Sequence, residues 1–390
     1  MISPLTSVTP ALVPGAAMGA ARMAAWRVHA YGARAELRLD RARVPALRDP
    51  RDVLVRVRAA SLNPLDVAMI GGYGARVLNV LRAASGADEF PLVAGRDFSG
   101  EVVRAGAAAR LRPGAAVWGV VPPHRAGAHA QYVLVDERWA GPAPRALSAL
   151  QAGGALYAAL TACAALRAAG LRPGAPARGE RVLLLGLGGV GQAALQLLAR
   201  AGAEVVAGCS AELRPRAEAL GAALVLDRAA ADYARALEEC GPYGAILDCA
   251  GLGGAEAGAR RWRFGRYVTL SSPLLRHTDA GGMALGALRA GAELAAQCAA
   301  AGRDGCAPRV RWAFFAPRES DIETLRRLAE RGQFTVAVER VFGWWEAERA
   351  YERMAQGHAR GKLLLDFTAR RPAAVDATAA AHDATVAARV

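Results

Sequence analysis

The string Gly186-Leu187-Gly188-Gly189-Val190-Gly191 has the residue types and the spacing to hold a phosphate. It follows the apolar run Val182-Leu183-Leu184-Leu185 and opens a helix-favouring stretch that reaches Ala201. In a G-x-G-x-x-G turn the first glycine, Gly186, permits the tight bend. The second, Gly188, lets the backbone approach a pyrophosphate, and the third, Gly191, lets the helix pack closely on the strand. Gly189 and Val190 begin the helix, whose free N–H groups and partial positive charge face the anion. A glycine-rich turn of structural use only is the competing reading. The strand before it, the helix after it and the further strand–helix units downstream favour a dinucleotide.

The end of the next strand decides which dinucleotide. That strand closes on Gly208-Cys209-Ser210, with Arg214 and Arg216 following. An Asp or Glu at this point would hold the ribose diol of NAD. A hydroxyl and cations stand there instead, which suits the 2′-phosphate of NADPH. Glu204 is an acid on the same strand, but at its start. The alternative for the arginines is an exposed helix face.

Two kinds of segment must position this turn. From Ala24 to about Arg145 the chain reads as short strands and turns: Val53–Val57, Gly100–Val103, a turn at Arg112-Pro113-Gly114 leading into a strand through Trp118, and Ala128–Val135. After Pro144 an alanine-rich stretch, Ala146–Ala169, predicts one long helix. Strands then alternate with helices: Arg181–Leu185, helix Gly189–Ala201, Glu204–Cys209, helix Leu213–Leu220, Leu224–Leu226, Ala245–Asp248, Arg266–Leu270 and Val310–Phe315. Short apolar runs separated by helices predict parallel strands covered on both faces. The segment Thr335–Phe367, with a helix at Trp344–Gln356, regains β character and is expected to return to the first lobe. The fold class is thus α/β: a Rossmann doubly wound parallel sheet over 146–334 and a β-rich lobe over 23–145 and 335–367, followed by a disordered tail over 368–390.

Composition narrows the setting. The 390 residues carry a formal charge of +14, and Lys362 is the sole lysine. No block of basic residues and no basic–aromatic alternation marks a nucleic-acid surface. A drift toward Ala, Arg and Gly accounts for the charge equally well. No run of 18 or more apolar residues predicts a membrane span. The six cysteines, Cys163, Cys209, Cys240, Cys249, Cys298 and Cys306, form no C-x-x-C pair and no zinc-like spacing with histidine, which fits a reducing compartment. Residues 1–22 contain no acid but several hydroxyl side chains, as a mitochondrial presequence would. The prolines Pro4, Pro10 and Pro14 keep a disordered leader open as the alternative.

Several strings then share one resemblance. Ser61-Leu62-Asn63-Pro64-Leu65-Asp66, Gly72-Tyr73-Gly74, Gly95-Arg96-Asp97-Phe98-Ser99-Gly100-Glu101, Arg311-Trp312-Ala313-Phe314-Phe315 and Gly357-His358-Ala359-Arg360-Gly361-Lys362 resemble the quinone-oxidoreductase branch of the medium-chain dehydrogenase/reductase superfamily. Within it they are most similar to the family of mitochondrial reticulon-interacting oxidoreductases. That resemblance implies a GroES-like first lobe, NADPH-dependent quinone reduction, a mitochondrial place in the matrix or at the outer membrane, support of ubiquinone synthesis and a reticulon partner. It also leaves room for a homodimer. It puts the pyrophosphate at Gly188–Gly191 and the 2′-phosphate at Ser210, with Leu270, Phe315, His358, Ala359 and Arg360 about the nicotinamide and ribose. The glycine turn is one residue shorter than the family's. Arg228 stands where the family has a tyrosine that holds the 2′-phosphate, and Cys249 where it has an asparagine.

The zinc alcohol dehydrogenases polarise their substrate with a first-lobe cysteine and a His-Glu pair in the Gly95–Gly100 string. This chain has Asn63 and Arg96 instead, so no metal is expected and something else must meet the charge on the acceptor oxygen, for which neutral donors would suffice. Asn63 and Tyr73 are the candidates; a helix cap at Asn63-Pro64 and simple packing by Tyr73 are the alternatives. The acceptor is a quinone or other activated carbonyl. An enoyl-thioester reductase, and a NADPH-binding interaction protein with little turnover, are the competing functions, because one fold hosts many. Calorimetric titration with both cofactors should show NADPH binding about ten- to a hundredfold more tightly than NADH, since a good charged contact adds roughly 1.5–3 kcal/mol. Equal or tighter binding of NADH would contradict the reading of Ser210 and Arg228.

Overall fold

The computed structural model describes residues 21–302 and 309–372. The leader up to residue 20, most of the tail and Cys306 lie outside them. The first lobe begins with β1 (Arg22–Val28) and β2 (Leu37–Arg43), then β3 (Asp52–Leu62), α1 (Pro64–Ile70), α2 (Ala75–Ala84), β4 (Leu92–Val93), β5 (Asp97–Ala105), β6 (Ala116–Val120), β7 (Tyr132–Asp136) and β8 (Ala140–Pro142). Then come α3 (Ala149–Gly153) and α4 (Leu156–Ala168). The second lobe runs β9 (Arg181–Leu185), α5 (Gly189–Ala201), β10 (Glu204–Cys209), α6 (Arg214–Ala219), β11 (Leu224–Asp227), α7 (Tyr233–Glu239), β12 (Tyr243–Asp248), α8 (Glu256–Ala259), β13 (Phe264–Thr269), α9 (Leu274–Gly281), α10 (Met283–Ala301), β14 (Val310–Trp312) and α11 (Glu319–Glu330). The chain ends in β15 (Val338–Gly343), α12 (Ala347–Ala355) and β16 (Lys362–Asp366).

The second-lobe sheet has the order β11-β10-β9-β12-β13-β14, all strands parallel. Its central strands are apolar on both faces because both are covered. Val182 and Leu184 face a core with Leu160 and Cys163 of α4 and Leu195 and Leu198 of α5. Leu183 and Leu185 face the other, with Leu237, Ala257 and Ala301. Strand order reverses between β9 and β12, and in such sheets ligands bind at the carboxyl edge of that crossing point. The glycine turn leaves β9 at this edge.

The first-lobe sheet, β15-β16-β3-β5-β6-β8 with β7 also on β3, includes the two strands that follow the second lobe. β16 pairs antiparallel with β3, which pairs antiparallel with β5. The α/β class with a doubly wound sheet and a β-rich lobe is therefore the architecture the sequence predicts.

Three local differences from the sequence reading have steric or chemical causes. The long helix expected over Ala146–Ala169 is two helices. Ser148 starts the first, its hydroxyl accepting from the Gln151 N–H at 3.2 Å. The break falls at Gly153-Gly154, where a Cβ on Gly153 would come within 2.8 Å of the Ala59 carbonyl oxygen and one on Gly154 within 2.8 Å of Leu364. The chain is pressed there onto β3 and β16. The helix expected from Leu213 starts as a 3-10 turn, Ala211–Leu213, before α6, with Pro215 in the first turn of α6. Strand β14 stops at Trp312, so Phe314 and Phe315 lie in the loop beyond it.

One buried acid orders the carboxyl edge of the second-lobe sheet. Asp248 closes β12 with no exposed surface. Its Oδ1 accepts from the N–H groups of Ala250, Gly251 and Leu252 at 2.9–3.1 Å, and its Oδ2 from the Gly253 N–H at 2.8 Å and the Thr269 hydroxyl at 2.7 Å. Five donors on one carboxylate fix the loop carrying Cys249 beside the glycine turn.

Candidate active site

The glycine turn has the shape a pyrophosphate needs. Gly186 has φ +87°, and a Cβ there would come within 2.9 Å of the Ala250 backbone. A Cβ on Gly191 would stand 2.1 Å from the Gly186 carbonyl oxygen, so only glycine lets α5 close on the turn. A Cβ on Gly188 would meet no protein atom within 4 Å. This space, beside the uncapped N–H groups of α5, fits a dinucleotide phosphate. Gly189 and Val190 are the first residues of the helix.

The other second-lobe candidates from the sequence follow the carboxyl ends of its strands. Cys249 donates its N–H to the Leu185 carbonyl at 2.9 Å, which ties the end of β12 to the end of β9. Burial pushes its thiol up, so it stays protonated. Leu270 follows β13 and is half-buried, as is Phe315, whose ring stacks on Tyr157 at 4.4 Å between centroids. Ser210 is half-exposed beyond β10, and the N–H of Arg228 donates to the Cys209 carbonyl at 2.9 Å. Gly208 leaves room for Tyr233, whose hydroxyl lies 2.1 Å from where a Cβ would be.

His358, Ala359 and Arg360 come in from the first lobe. His358 is exposed and takes φ +51°, the one non-glycine residue with positive φ among those described. Gln192 in the first turn of α5 donates to the Arg360 carbonyl at 3.3 Å, which brings this loop against the turn. The Arg360 guanidinium pairs with Glu212 at 2.5 Å. Glu212 is an acid two residues past Ser210 that the sequence reading passes over, and Arg360 offsets its charge.

Toward the first lobe the site is polar, buried and crowded. Three adjacent strands supply its groups: Ser61 is the last but one residue of β3 and Asp97 starts β5 directly across from it, while Lys362 starts β16. Asp97 has no exposed surface. Its Oδ1 accepts from the Ser61 hydroxyl and, at 3.1 Å, from the Asn63 amide. Its Oδ2 accepts from the Tyr157 N–H at 3.3 Å and lies 3.7 Å from the Lys362 ammonium. Lys362 donates to Asn63 Oδ1 at 2.7 Å. The Asn63 side chain is thus engaged at both ends, while its backbone N–H donates to Asp66 at 2.8 Å in the manner of a helix start.

The positions where zinc relatives carry ligands do other work here. Arg96 is fully buried, donating to the carbonyls of Val93, Pro122 and Arg125 at 3.0–3.1 Å, with Asp66 at 3.4 Å. His129 is also buried: its Nε2 lies 3.0 Å from the Ser61 carbonyl and its Nδ1 3.2 Å from the Tyr351 hydroxyl. Burial pushes both His129 and His124 down, toward the neutral form. Among the described residues no group of three or more His, Cys, Asp or Glu side chains is placed to hold a metal ion.

Tyr73 lies in the loop between α1 and α2, half-buried, and its hydroxyl has no hydrogen-bond partner among the described residues. Burial raises its phenol above the usual range, Arg276 opposing and Asp279 adding to the shift. Asp279 of α9 accepts from the N–H groups of Gly74 at 2.6 Å and Arg76 at 3.1 Å, which joins the second lobe to the start of α2.

Comparison with known proteins matches this architecture. The alcohol dehydrogenase GroES-like domain matches residues 49–145, and a family described as zinc-binding dehydrogenase matches residues 220–365. The "NAD(P)H oxidoreductase RTN4IP1, mitochondrial" of Drosophila melanogaster is 38% identical over 366 residues, covering 90% of this chain and 88% of that protein. The chain belongs to the medium-chain dehydrogenase/reductase superfamily. Its human relative of the same name is 34% identical over 355 residues, 88% of this chain and 89% of that one. The quinone oxidoreductase of Coxiella burnetii superimposes with a TM-score of 0.71 at 25% identity, over 88% of this chain and 99% of the other. As a medium-chain superfamily member, the protein is an oxidoreductase on a fold that binds a nicotinamide cofactor, and these mitochondrial relatives span most of its length.

Two substitutions separate the roles of the turn. Gly188→Ala should leave thermal unfolding unchanged, because its methyl meets no protein atom, while dinucleotide affinity falls on the order of tenfold. Gly191→Val should abolish cofactor binding by driving α5 from the turn, with the first lobe still folded. Calorimetric titration beside thermal melts checks both; unchanged affinity in either variant would make the turn merely structural.

Proposed function

We propose that the protein is a zinc-independent, NADPH-dependent reductase of quinones, mitochondrial and linked to ubiquinone synthesis. The observation that carries this is the commitment of Asn63 and Arg96. Both stand where zinc relatives have ligands, and both have their side chains engaged with protein partners instead. NADPH, when bound, supplies a hydride at the nicotinamide. The chain does the rest. The N–H groups at Gly188–Gly191 hold the pyrophosphate, and Ser210 and Arg228 hold the 2′-phosphate. Leu270 and Phe315 wall the nicotinamide, and His358, Ala359 and Arg360 close over it.

At the acceptor oxygen, Tyr73 is the neutral donor with a free hydroxyl, and burial keeps its proton in place. Asn63 acts through its amide within the buried cluster. A quinone needs less stabilisation than a simple ketone, because the reduced ring spreads the charge. The names of the relatives support a reticulon partner and a mitochondrial setting.

The same free Tyr73 hydroxyl supports a second reading, enoyl-thioester reduction, in which it would protonate the substrate α-carbon. Stopped-flow NADPH oxidation against quinones, enoyl thioesters and aldehydes distinguishes the two, and turnover should be fastest with quinones. Tyr73→Phe and Asn63→Ala should each slow quinone reduction on the order of tenfold with NADPH affinity held. Faster turnover of enoyl thioesters would favour the second reading, and negligible turnover of every acceptor would leave an interaction protein.

A further inference from the structure

Of 49 lysine and arginine residues in this chain, 48 are arginine. Burial does not account for the exception, since Arg82 and Arg96 are only 2% and 1% exposed. The chain thus places arginine even at fully buried cation sites. The one lysine is Lys362, at the start of β16 where the two lobes meet.

An ammonium is a compact charge with three tetrahedral donors, whereas a guanidinium is a planar fork. The place is cramped: a Cβ on Gly154 would come within 3.3 Å of Lys362 Cβ, and one on Gly189 within 3.7 Å of its Cδ. Lys362 lines a small cavity with Ala158, Gly189 and Gln192, beside the glycine turn. Its ammonium donates to Asn63 at 2.7 Å and faces Asp97 at 3.7 Å. Only the contact to Asn63 is a hydrogen bond, so two of the three N–H groups of the ammonium have no hydrogen-bond partner among the described residues. Asp97 meanwhile has three further donors, in Ser61, Asn63 and the Tyr157 N–H, so the ammonium is not its sole source of compensation.

Asn63 stands where the zinc alcohol dehydrogenases have their first-lobe cysteine ligand, and the group bound to its side-chain oxygen is a cation. We propose that the Lys362 ammonium takes the place of the metal ion as the electrophile of this site, donating to the acceptor oxygen as hydride arrives. The inference rests on the reductase reading. The acceptor gains the hydride with its two electrons, one carbonyl oxygen becomes an oxyanion, and NADPH becomes NADP+. The oxyanion forms an ion pair with the ammonium and takes its proton from solvent. A fixed cation at a developing oxyanion supplies the stabilisation that a Lewis acid would.

The test has one readout that needs no turnover. With the NADP+-loaded protein, 4-nitrophenol is titrated and its phenolate absorbance followed with pH. The wild type should lower the ionisation of the bound phenol by about one pH unit or more, as a neighbouring cation does. Lys362→Met keeps the stem and removes the charge, and should abolish that shift. With a quinone its turnover should fall on the order of a hundredfold, with NADPH affinity within about twofold of wild type. Absence of phenolate binding by the wild type, or the same shift in both proteins, would overturn the proposal. Should Lys362→Met not fold, Lys362→Gln, which keeps a donor for Asn63 and removes the charge, should abolish the shift likewise, and a wild-type shift in that variant would overturn the proposal. If the wild type reduces no acceptor, the reductase reading fails; if it reduces quinones and folded Lys362→Met does so at full rate, only the lysine assignment fails.

Discussion

A buried carboxylate holds the cleft together. Asp97 has no exposed surface, and a charge taken out of water costs several kcal/mol unless it is paired and hydrogen-bonded. Its partners come from places far apart in the chain: Ser61 and Asn63 at the end of β3, the Tyr157 N–H at the start of α4, and Lys362 at the start of β16. β16 is reached only after the whole second lobe has been made. Its one cationic partner arrives only when the chain returns and β16 pairs with β3, which also brings the loop before β16 against the glycine turn. The cofactor end and the acceptor end of the site are positioned by the same closure.

A second buried acid does comparable work on the other side. Asp248 spends its two oxygens on four backbone N–H groups and one hydroxyl, so the loop after β12 has a single arrangement next to Gly186. Gly186 and Gly191 then fit only because neither has a side chain. The site thus combines two rigid acid-centred clusters with a turn that leaves space at Gly188. Such preorganisation suits hydride transfer, in which the charge on the acceptor must be met as it forms and without rearrangement of the protein.

The parts legible in the sequence were those with a strong local pattern. The apolar runs that became β9, β10 and β12 declare strands buried on both faces, and the glycine spacing declares the turn between β9 and α5. The long helix α10 carried no such signal, since alanine and glycine dominate it. The break at Gly153-Gly154 was hidden for another reason: it is imposed by the approach of β3 and β16, distant in sequence. Asn63 and Tyr73 could be named from the strings around them, but the engagement of the Asn63 amide by Asp97 and Lys362 depends on strand pairing. Glu212 was passed over because its counter-ion, Arg360, belongs to the other lobe. Lys362 did carry one signal, its solitude among arginines.

That the Asp97–Lys362 contact ties the returning strand β16 into the buried cluster is tested most directly by a double-mutant cycle of Asp97→Asn and Lys362→Met on the urea unfolding free energy. The two residues touch the same partner, Asn63, so their losses should not add. Each single change should destabilise, and the double variant should lose less than the sum, with a coupling on the order of 1–3 kcal/mol. Losses that add within about 0.5 kcal/mol would show the two groups to be independent and would contradict this account of the cleft.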